Sequence, residues 1–298
     1  MITTEQKFLD PRVLARISNL QLVAKTVVEG FLTGLHRSPH HGVSIEFAEY
    51  RPYSPGDEPR SVDWNVFART DRYYVKKYHG ETNTQIHIVL DASGSMNYRS
   101  SGISKFEYGS FLAASLAFFA MHQRDAVGLL LFDTEVRHNI PARSRVGQLS
   151  WILHALDQAR PSKETDFVRP LEALGQFLHR RGIIVLISDF YEEPQRVMDS
   201  VRQLQFRGND IILFHLLDPG ERKLDLSEAS LLEDMETGER MEVIPEYARQ
   251  QYRELLEEHI QRLGQESRST RVDYEVIDTD RPLDFALYSY LSARQRRK

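Results

Sequence analysis

The stretch that decides the fold covers residues 85–96 and reads QIHIVLDASGSM. Its first part, Gln85–Asp91, is apolar and rich in β-branched side chains, a pattern typical of a strand that is buried on both faces of a sheet. The strand ends at a carboxylate, and a tight turn around Gly94 follows, which carries the hydroxyls of Ser93 and Ser95. In a doubly wound sheet, ligands bind beyond the carboxyl ends of the strands, so a ligand is expected at this turn.

The rest of the chain after residue 84 alternates between apolar runs and amphipathic segments. Further strands are predicted at 127–133, 182–189, 210–217 and 272–277, and helices at 106–124, 146–158, 168–180, 194–206, 246–263 and 282–296. Ser104 and Glu107 form a capping box that marks the start of the first of these helices. Residues 135–140 alternate in polarity and predict one antiparallel strand at the sheet edge. The fold class is therefore α/β, a Rossmann-like, doubly wound and mostly parallel sheet flanked by helices.

We expect the chain to divide at about Thr84. Residues 1–83 are predicted to form an N-terminal helical and β-rich region, and residues 84–298 the α/β domain, with a hairpin insertion at about 218–245. Strands at 43–50 and 72–78 are predicted to pair in a small β subdomain, with the 230–243 hairpin beside them. The insertion is acidic, which indicates a solvated face or an acidic docking surface.

Composition excludes several classes of protein. The 298 residues are 41% hydrophobic and 27% charged, with a formal net charge of −5, which fits a globular protein and gives no sign of a nucleic-acid-binding face. The absence of cysteine excludes a disulfide scaffold, a thiolate metal site and a cysteine nucleophile. Residues 1–10 are polar, and the most apolar helical stretch, 108–121, is too short to span a bilayer. We therefore expect a cytoplasmic protein without a membrane span.

The turn after the first strand offers oxygen ligands for a hard cation. Asp91, Ser93 and Ser95 supply only part of the near-octahedral shell that Mg²⁺ prefers. Asp189 ends the 182–189 strand and would lie beside Asp91 if the two strands are neighbours, and Thr165 can reach from the 161–166 loop at the same edge. This shell leaves one position open, which an acidic side chain of a partner protein could fill.

The motif Asp-x-Ser-x-Ser after a buried strand resembles the metal-ion-dependent adhesion site of von Willebrand factor A domains. The resemblance implies that Ser93 and Ser95 bind the metal directly, and that Asp91, Thr165 and Asp189 act through water. Thr165 departs from the family pattern, because Glu164 and Asp166 flank it where glycine is usual. The metal is Mg²⁺ by this reasoning, with Mn²⁺ or Ca²⁺ as alternatives.

Several sequence blocks before this motif are similar to the bacterial domain-of-unknown-function 58 family. They include YRPY at 50–53, PGDEPR at 55–60, VDW at 62–64 and YVKK at 74–77, in the expected order. The resemblance covers most of residues 34–96 and the later strands. It implies a chaperone-like adaptor in complex assembly or maturation that works with a MoxR-type AAA+ ATPase and a client protein with an acidic ligand.

Two other functions stay open beside this non-enzymatic adaptor. One is a Mg²⁺-dependent hydrolase or phosphoryl-transfer enzyme that uses Asp91, although the chain lacks the phosphate-loop, Gly-x-Gly-x-x-Gly, His-Glu-x-x-His and Gly-x-Ser-x-Gly motifs. Asp91 is also followed by Ala-Ser and not by the second aspartate of an aspartyl-phosphate acid/base pair. The other is a scaffold with a vacant metal site.

Overall fold

The structure is a computed structural model, and it describes residues 10–37, 50–52, 74–76, 84–100, 102–162, 166–178, 180–224, 230–235, 238–243 and 245–295. The chain forms two units, one of Met1–Phe31 with Thr84–Lys298 and one of Leu32–Asn83. The described strands are β1 (Tyr50–Pro52), β2 (Tyr74–Lys76), β3 (Gln85–Asp91), β4 (Ala126–Phe132), β5 (Val136–Arg143), β6 (Gly182–Ser188), β7 (Asp210–Leu217), β8 (Ser230–Glu233), β9 (Arg240–Val243) and β10 (Asp273–Asp278).

The described helices surround the main sheet or lie in its connections. They are α1 (Pro11–Leu14), α2 (Leu20–Arg37), α3 (Lys105–His122), α4 (Gln148–Gln158), α5 (Val168–Phe177), α6 (Pro194–Phe206), α7 (Pro219–Lys223), α8 (Pro245–Ser269) and α9 (Asp284–Gln295), with a 3₁₀ turn at Ser95–Asn97. Within the described ranges, no helix is long and apolar enough to cross a membrane.

The larger unit is built on a six-stranded sheet in the order β10-β7-β6-β3-β4-β5. Every pair of neighbours is parallel except β4 and β5, which are antiparallel. The predicted fold class, with its single antiparallel edge strand, is therefore confirmed. The chain moves outward from β3 to β4 and β5 and then returns to the other side of β3 with β6. The strand order thus reverses between β3 and β6, where a doubly wound sheet binds its ligands.

Helix α3 packs across the sheet and is buried on nearly every side. Its predicted capping box is present, because the Glu107 amide donates to the Ser104 hydroxyl at 3.1 Å and the Ser104 amide to the Glu107 carboxylate at 2.8 Å. Gly109 lies so close to the sheet that an added Cβ would come within 2.8 Å of a methyl group of Leu90. The cap and this close approach fix where α3 begins relative to the end of β3.

The N-terminal helices do not follow the predicted division of the chain at residue 84, because residues 1–31 belong to the larger unit. Helix α2 begins in the larger unit and buries Val23, Ala24, Val27, Val28 and Phe31 there. The Phe31 ring meets the Phe119 ring of α3 edge-on, with 6.1 Å between the centroids. The apolar stripe of α2 accounts for this grouping, because it needs a hydrophobic partner and finds one in α3.

The two predicted hairpins form separate two-stranded sheets. Strands β1 and β2 are antiparallel, which confirms that these two segments pair, and the rest of the two predicted strands lies outside the described residues. Strands β8 and β9 pair only with each other among the described residues, and the expectation that this hairpin lies beside the N-terminal strands stays a prediction. A four-residue hairpin with its own turn at Gly238 satisfies its backbone hydrogen bonds locally.

A substitution at Gly128 tests the close approach of β5 to β4. A Cβ at Gly128 would lie 2.7 Å from the Ile140 carbonyl oxygen and 2.7 Å from the Ala142 amide, both backbone atoms that cannot move independently. We expect Gly128→Ala to lower the free energy of unfolding in urea by roughly 1–3 kcal/mol.

The matched control is Gly264→Ala in α8, where the new Cβ would meet the Tyr274 ring at an ordinary 3.6 Å. Because alanine is a better helix former than glycine, this variant should be more stable by up to about 1 kcal/mol. Equal effects of the two substitutions would show that the β4–β5 contact is looser than described.

Candidate functional site

Asp91 ends strand β3 at the point where the strand order reverses, and its side chain is buried. One carboxylate oxygen accepts a hydrogen bond from the Ser93 amide at 2.9 Å, and the other accepts one from the Ser188 hydroxyl at 2.6 Å. Ser188 is the last residue of β6. The carboxylate is therefore held in place by both of the strands that flank the switch point.

The two serines of the motif converge on one spot, as their spacing predicted. The Ser93 and Ser95 hydroxyl oxygens lie 3.1 Å apart, with Ser93 buried and Ser95 partly exposed. The loop is fixed to its neighbours by its backbone, because the Ala92 amide donates to the Phe132 carbonyl at 2.7 Å and the Ser162 amide to the Ala92 carbonyl at 2.8 Å. The rigid backbone preorganises a pair of hydroxyl oxygens at the surface of the site.

Asp189 follows β6 directly and lies beside Asp91, as expected for neighbouring parallel strands. Burial raises the pKa of Asp91 to about 7, and the negative charge of Asp189 adds to this rise, although the hydrogen bonds from Ser188 and Ser93 oppose it. The two buried carboxylates therefore repel each other. Thr165, the remaining predicted ligand, lies outside the described residues, although the described Ser162 brings the start of its loop against the motif.

These residues fit a hard divalent cation. They offer only oxygen donors, and the mutual repulsion of two buried carboxylates is what a bound cation relieves. Among the described residues no group of three or more His, Cys, Asp or Glu side chains could hold a metal. A cation at this turn would therefore need the serine hydroxyls as ligands in addition to the carboxylates.

Lys105, the first residue of α3, is a member of the site that the sequence analysis missed. Its ammonium group lies 2.8 Å from the Asp189 carboxylate and 2.6 Å from that of Glu221, and its side chain has no exposed surface. Burial alone would lower the pKa of Lys105, but the two carboxylates outweigh this effect and raise it. The lysine is therefore a permanent positive charge. A lysine just inside the cap of an otherwise apolar helix was the available signal.

A short helix from the start of the insertion closes one side of the site. Glu221 belongs to α7, whose N-cap is Asp218. The Ser100 amide donates to the Asp218 carboxylate at 3.0 Å, and the Gly220 amide donates to the Ser100 hydroxyl at 3.1 Å. Helix α7 is therefore joined to the loop after the serine motif through Ser100, and to the start of α3 through Lys105.

Asp133 is a third carboxylate at this sheet edge, directly after β4, and it is already neutralised. It accepts hydrogen bonds from the Arg137 guanidinium at 2.5 Å and the Glu135 amide at 3.2 Å. Burial would raise the pKa of Asp133, but these hydrogen bonds outweigh burial and lower it. Asp133 thus differs from Asp91, whose described partners are neutral hydrogen-bond donors.

Comparison with known proteins identifies the family of this chain. Residues 49–262 match the family described as Protein of unknown function DUF58. The chain belongs to this family. The uncharacterized protein Mb1516 of Mycobacterium bovis is 28% identical over 232 residues, which cover 77% of this chain and 73% of the relative. The family assignment made from the sequence blocks is therefore confirmed.

Two solved structures share the fold at low sequence identity. The conserved hypothetical protein BatB from Bacteroides thetaiotaomicron is 15% identical with a TM-score of 0.50, and the match covers 71% of this chain and 99% of BatB. An aerotolerance-related membrane protein from Bacteroides fragilis gives 15% identity, a TM-score of 0.51 and the same coverages. At this level of identity the likeness is one of fold.

The raised pKa of Asp91 predicts a pH dependence of stability without metal. The pKa rises from an ordinary 3.8 to about 7 on folding, so the unfolded chain loses this proton first and folding becomes less favourable as the pH rises through that interval. Asp91→Asn removes the charge and keeps one acceptor oxygen for the Ser93 amide, while its amide nitrogen can donate to the Ser188 hydroxyl. Relative to this variant, the free energy of unfolding of the metal-free protein should fall by on the order of 2–4 kcal/mol between about pH 4 and pH 7.

Denaturant unfolding in a chelator at several pH values measures this difference. The control is Asp133→Asn, because the pKa of Asp133 is lowered and its carboxylate stabilises the fold throughout that interval. Wild type and Asp133→Asn should therefore show a constant difference there. A constant difference between wild type and Asp91→Asn would contradict the account of Asp91.

Proposed function

We propose that this protein is a non-enzymatic adaptor that binds a partner protein through a divalent metal at the turn after β3. The observation that carries the proposal is the buried, mutually repelling pair of Asp91 and Asp189 beside the paired hydroxyls of Ser93 and Ser95. A von Willebrand factor A-like adhesion site uses the same residue types after the same strand. Thr165 is the fifth proposed ligand.

Each residue has a distinct part in this proposal. Ser93 and Ser95 are the direct ligands, because their oxygens already lie 3.1 Å apart on a fixed loop. Asp91 carries the balancing charge, and the Ser188 hydroxyl and the Ser93 amide keep it from turning away. A bound Mg²⁺ would supply an open coordination position for an oxygen of the partner, and Mn²⁺ or Ca²⁺ could take its place. An acidic side chain is the partner group that suits such a position.

A MoxR-type AAA+ ATPase and a client protein are the proposed partners, and the cytoplasm is the proposed compartment. Membership of the DUF58 family supports the ATPase, through the partner class that the sequence resemblance implies. The adaptor would then present the acidic group of a client, or of the ATPase itself, to the metal. Complex assembly or maturation is the process in which such an adaptor would act.

The geometry favours this adaptor over a hydrolase. In the part of the chain that the structure describes, no histidine hydrogen-bonds to Ser93 or Ser95, and the Ser93 hydroxyl faces that of Ser95 instead. A serine nucleophile needs an adjacent base to lose its proton at neutral pH. Asp91 has both oxygens engaged, which suits a fixed ligand better than a base or nucleophile.

A scaffold without metal is the second candidate, and one observation favours it. The ammonium group of Lys105 already neutralises Asp189 at 2.8 Å, so the fold has a cation in this place without any metal. Such a scaffold would bind its partners independently of divalent ions. Metal dependence of partner binding separates the two functions.

Calorimetric titration with Mg²⁺ and Mn²⁺, and then with the MoxR-type ATPase of the same genome, tests the proposal. We expect one metal per chain, and we expect Ser93→Ala with Ser95→Ala to weaken metal binding at least roughly tenfold, because both proposed direct ligands are lost. Partner binding should fall in parallel, and a chelator should abolish it.

The matched control replaces two buried helical serines away from the site, Ser115→Ala and Ser200→Ala, whose hydroxyls donate to carbonyls of their own helices. This variant should bind metal and partner like wild type. Partner binding that is unchanged by the chelator and by the Ser93/Ser95 substitutions would overturn the metal-dependent adaptor and favour the scaffold.

A further inference from the structure

Lys105 is a buried cation in an unfavourable position, so it needs negatively charged partners. It is the first residue of α3, at the end of the helix where the backbone dipole is positive and a cation is unfavourable. Its side chain is 0% exposed, and a buried charge is tolerated only when it is paired. The chain supplies that pairing with Asp189 from the end of β6 and Glu221 from α7. Two separate segments thus place carboxylates on one ammonium group.

The ammonium group also occupies part of the proposed metal site. It binds the Oδ2 atom of Asp189 at 2.8 Å, and this carboxylate adds to the repulsion that raises the pKa of Asp91. A hydrogen-bonded, neutralised carboxylate attracts a second cation less than a free one does. A metal and Lys105 therefore compete for the negative charge of Asp189.

We infer that Lys105 is a built-in cation of this site, which holds Asp189 when no metal is bound and limits how tightly a metal binds. This inference rests on the proposed metal site. The lysine stabilises the metal-free protein, because its charge offsets part of the repulsion between Asp91 and Asp189 without a bound ion. It also sets a weaker metal affinity than the same oxygens would have alone.

Glu221, the second carboxylate on Lys105, connects this cation to the insertion. Glu221 lies in α7, and its other oxygen accepts a hydrogen bond from the Asp218 amide at 3.1 Å. When a metal draws Asp189 away, the ammonium group keeps Glu221 as its partner at 2.6 Å. The ammonium group also lies 4.7 Å from the centre of the Tyr191 ring, which gives it a further favourable contact. Metal binding thereby changes the balance of charges on the helix that begins the insertion.

A purely structural role for Lys105 makes a different prediction. A structural cation, once removed, destabilises the fold whether or not metal is present, since a buried carboxylate is left unpaired. If Lys105 instead takes the place of the metal, a bound metal should compensate for its removal. Metal affinity and metal-dependent stability are therefore the readouts that distinguish the two roles.

The test is Lys105→Met, which keeps an unbranched side chain only one atom shorter and removes the charge. We expect Mn²⁺ to bind this variant about tenfold more tightly than wild type or better, which corresponds to ~1.4 kcal/mol or more. In a chelator the variant should melt at a lower temperature than wild type, and saturating Mn²⁺ should restore most of the difference.

Two controls separate a local effect from a change in net charge. Arg137→Met removes one positive charge from Asp133 at the same sheet edge, and it should change the affinity for Mn²⁺ by less than about threefold, as expected for a screened and exposed charge. Glu221→Gln leaves the ammonium group on Asp189, and it should not tighten Mn²⁺ binding. Tightening of equal size in Lys105→Met and Arg137→Met would overturn the inference.

If Lys105→Met does not fold, the double variant Lys105→Met with Glu221→Gln is the second test, because it leaves only Asp189 without its partner. It should also bind Mn²⁺ more tightly than wild type. If both Lys105 variants stay unfolded at saturating Mn²⁺, or if they fold and bind Mn²⁺ no more tightly than wild type, the inference is wrong. If wild type binds no Mn²⁺ but Lys105→Met does, the inference stands and the proposed function fails. If neither binds, both fail.

Discussion

Two buried carboxylates at the switch point of the sheet, those of Asp91 and Asp189, impose the constraint on which the rest of the site depends. Parallel pairing of β3 with β6 brings them together, since the carboxyl ends of neighbouring parallel strands meet at one edge. Two like charges that are buried side by side need a cation, a proton or both. Ser188, Lys105 and the serine motif are all arranged around this requirement, and each meets part of it.

The requirement also explains how distant parts of the chain become connected. The cation that the fold provides comes from the first turn of α3, and the second carboxylate on that cation comes from α7. The turn after β3 is thereby joined to the beginning of the insertion. A site of this kind is a meeting point of three segments, so a partner that binds at the turn contacts a surface whose charge is set by all of them.

The main elements of the sheet could be predicted from sequence because local pattern and tertiary role agree in them. Strands β3 and β7 and helix α6 have the predicted bounds, since continuous apolar runs and a Pro at the first helical position leave little ambiguity. Helix α8 was predicted to end at residue 263, before Gly264. It continues to Ser269 because Gly264 packs against the Tyr274 ring and the helix finds tertiary support there.

The site was predictable only in part, because a local sequence pattern marks some of its residues and not others. Asp91, Ser93 and Ser95 belong to one local motif, and Asp189 follows from strand order. Lys105, Glu221 and Ser188 have their roles only through contacts between segments that are far apart in sequence. The position of Lys105 directly after the cap of α3 singles it out, but no local pattern names its partners. The grouping of α2 with the larger unit was missed too, although its apolar stripe signalled a buried face.

The most direct test of the central claim is a crystal of the wild-type protein that has been soaked in Mn²⁺ and measured at a wavelength where manganese scatters anomalously. We predict one strong anomalous peak among the side chains of Asp91, Ser93, Ser95 and Asp189, with the Lys105 ammonium group released from Asp189 and still paired with Glu221. A map with no peak at this turn, and with Lys105 still on Asp189, would contradict it.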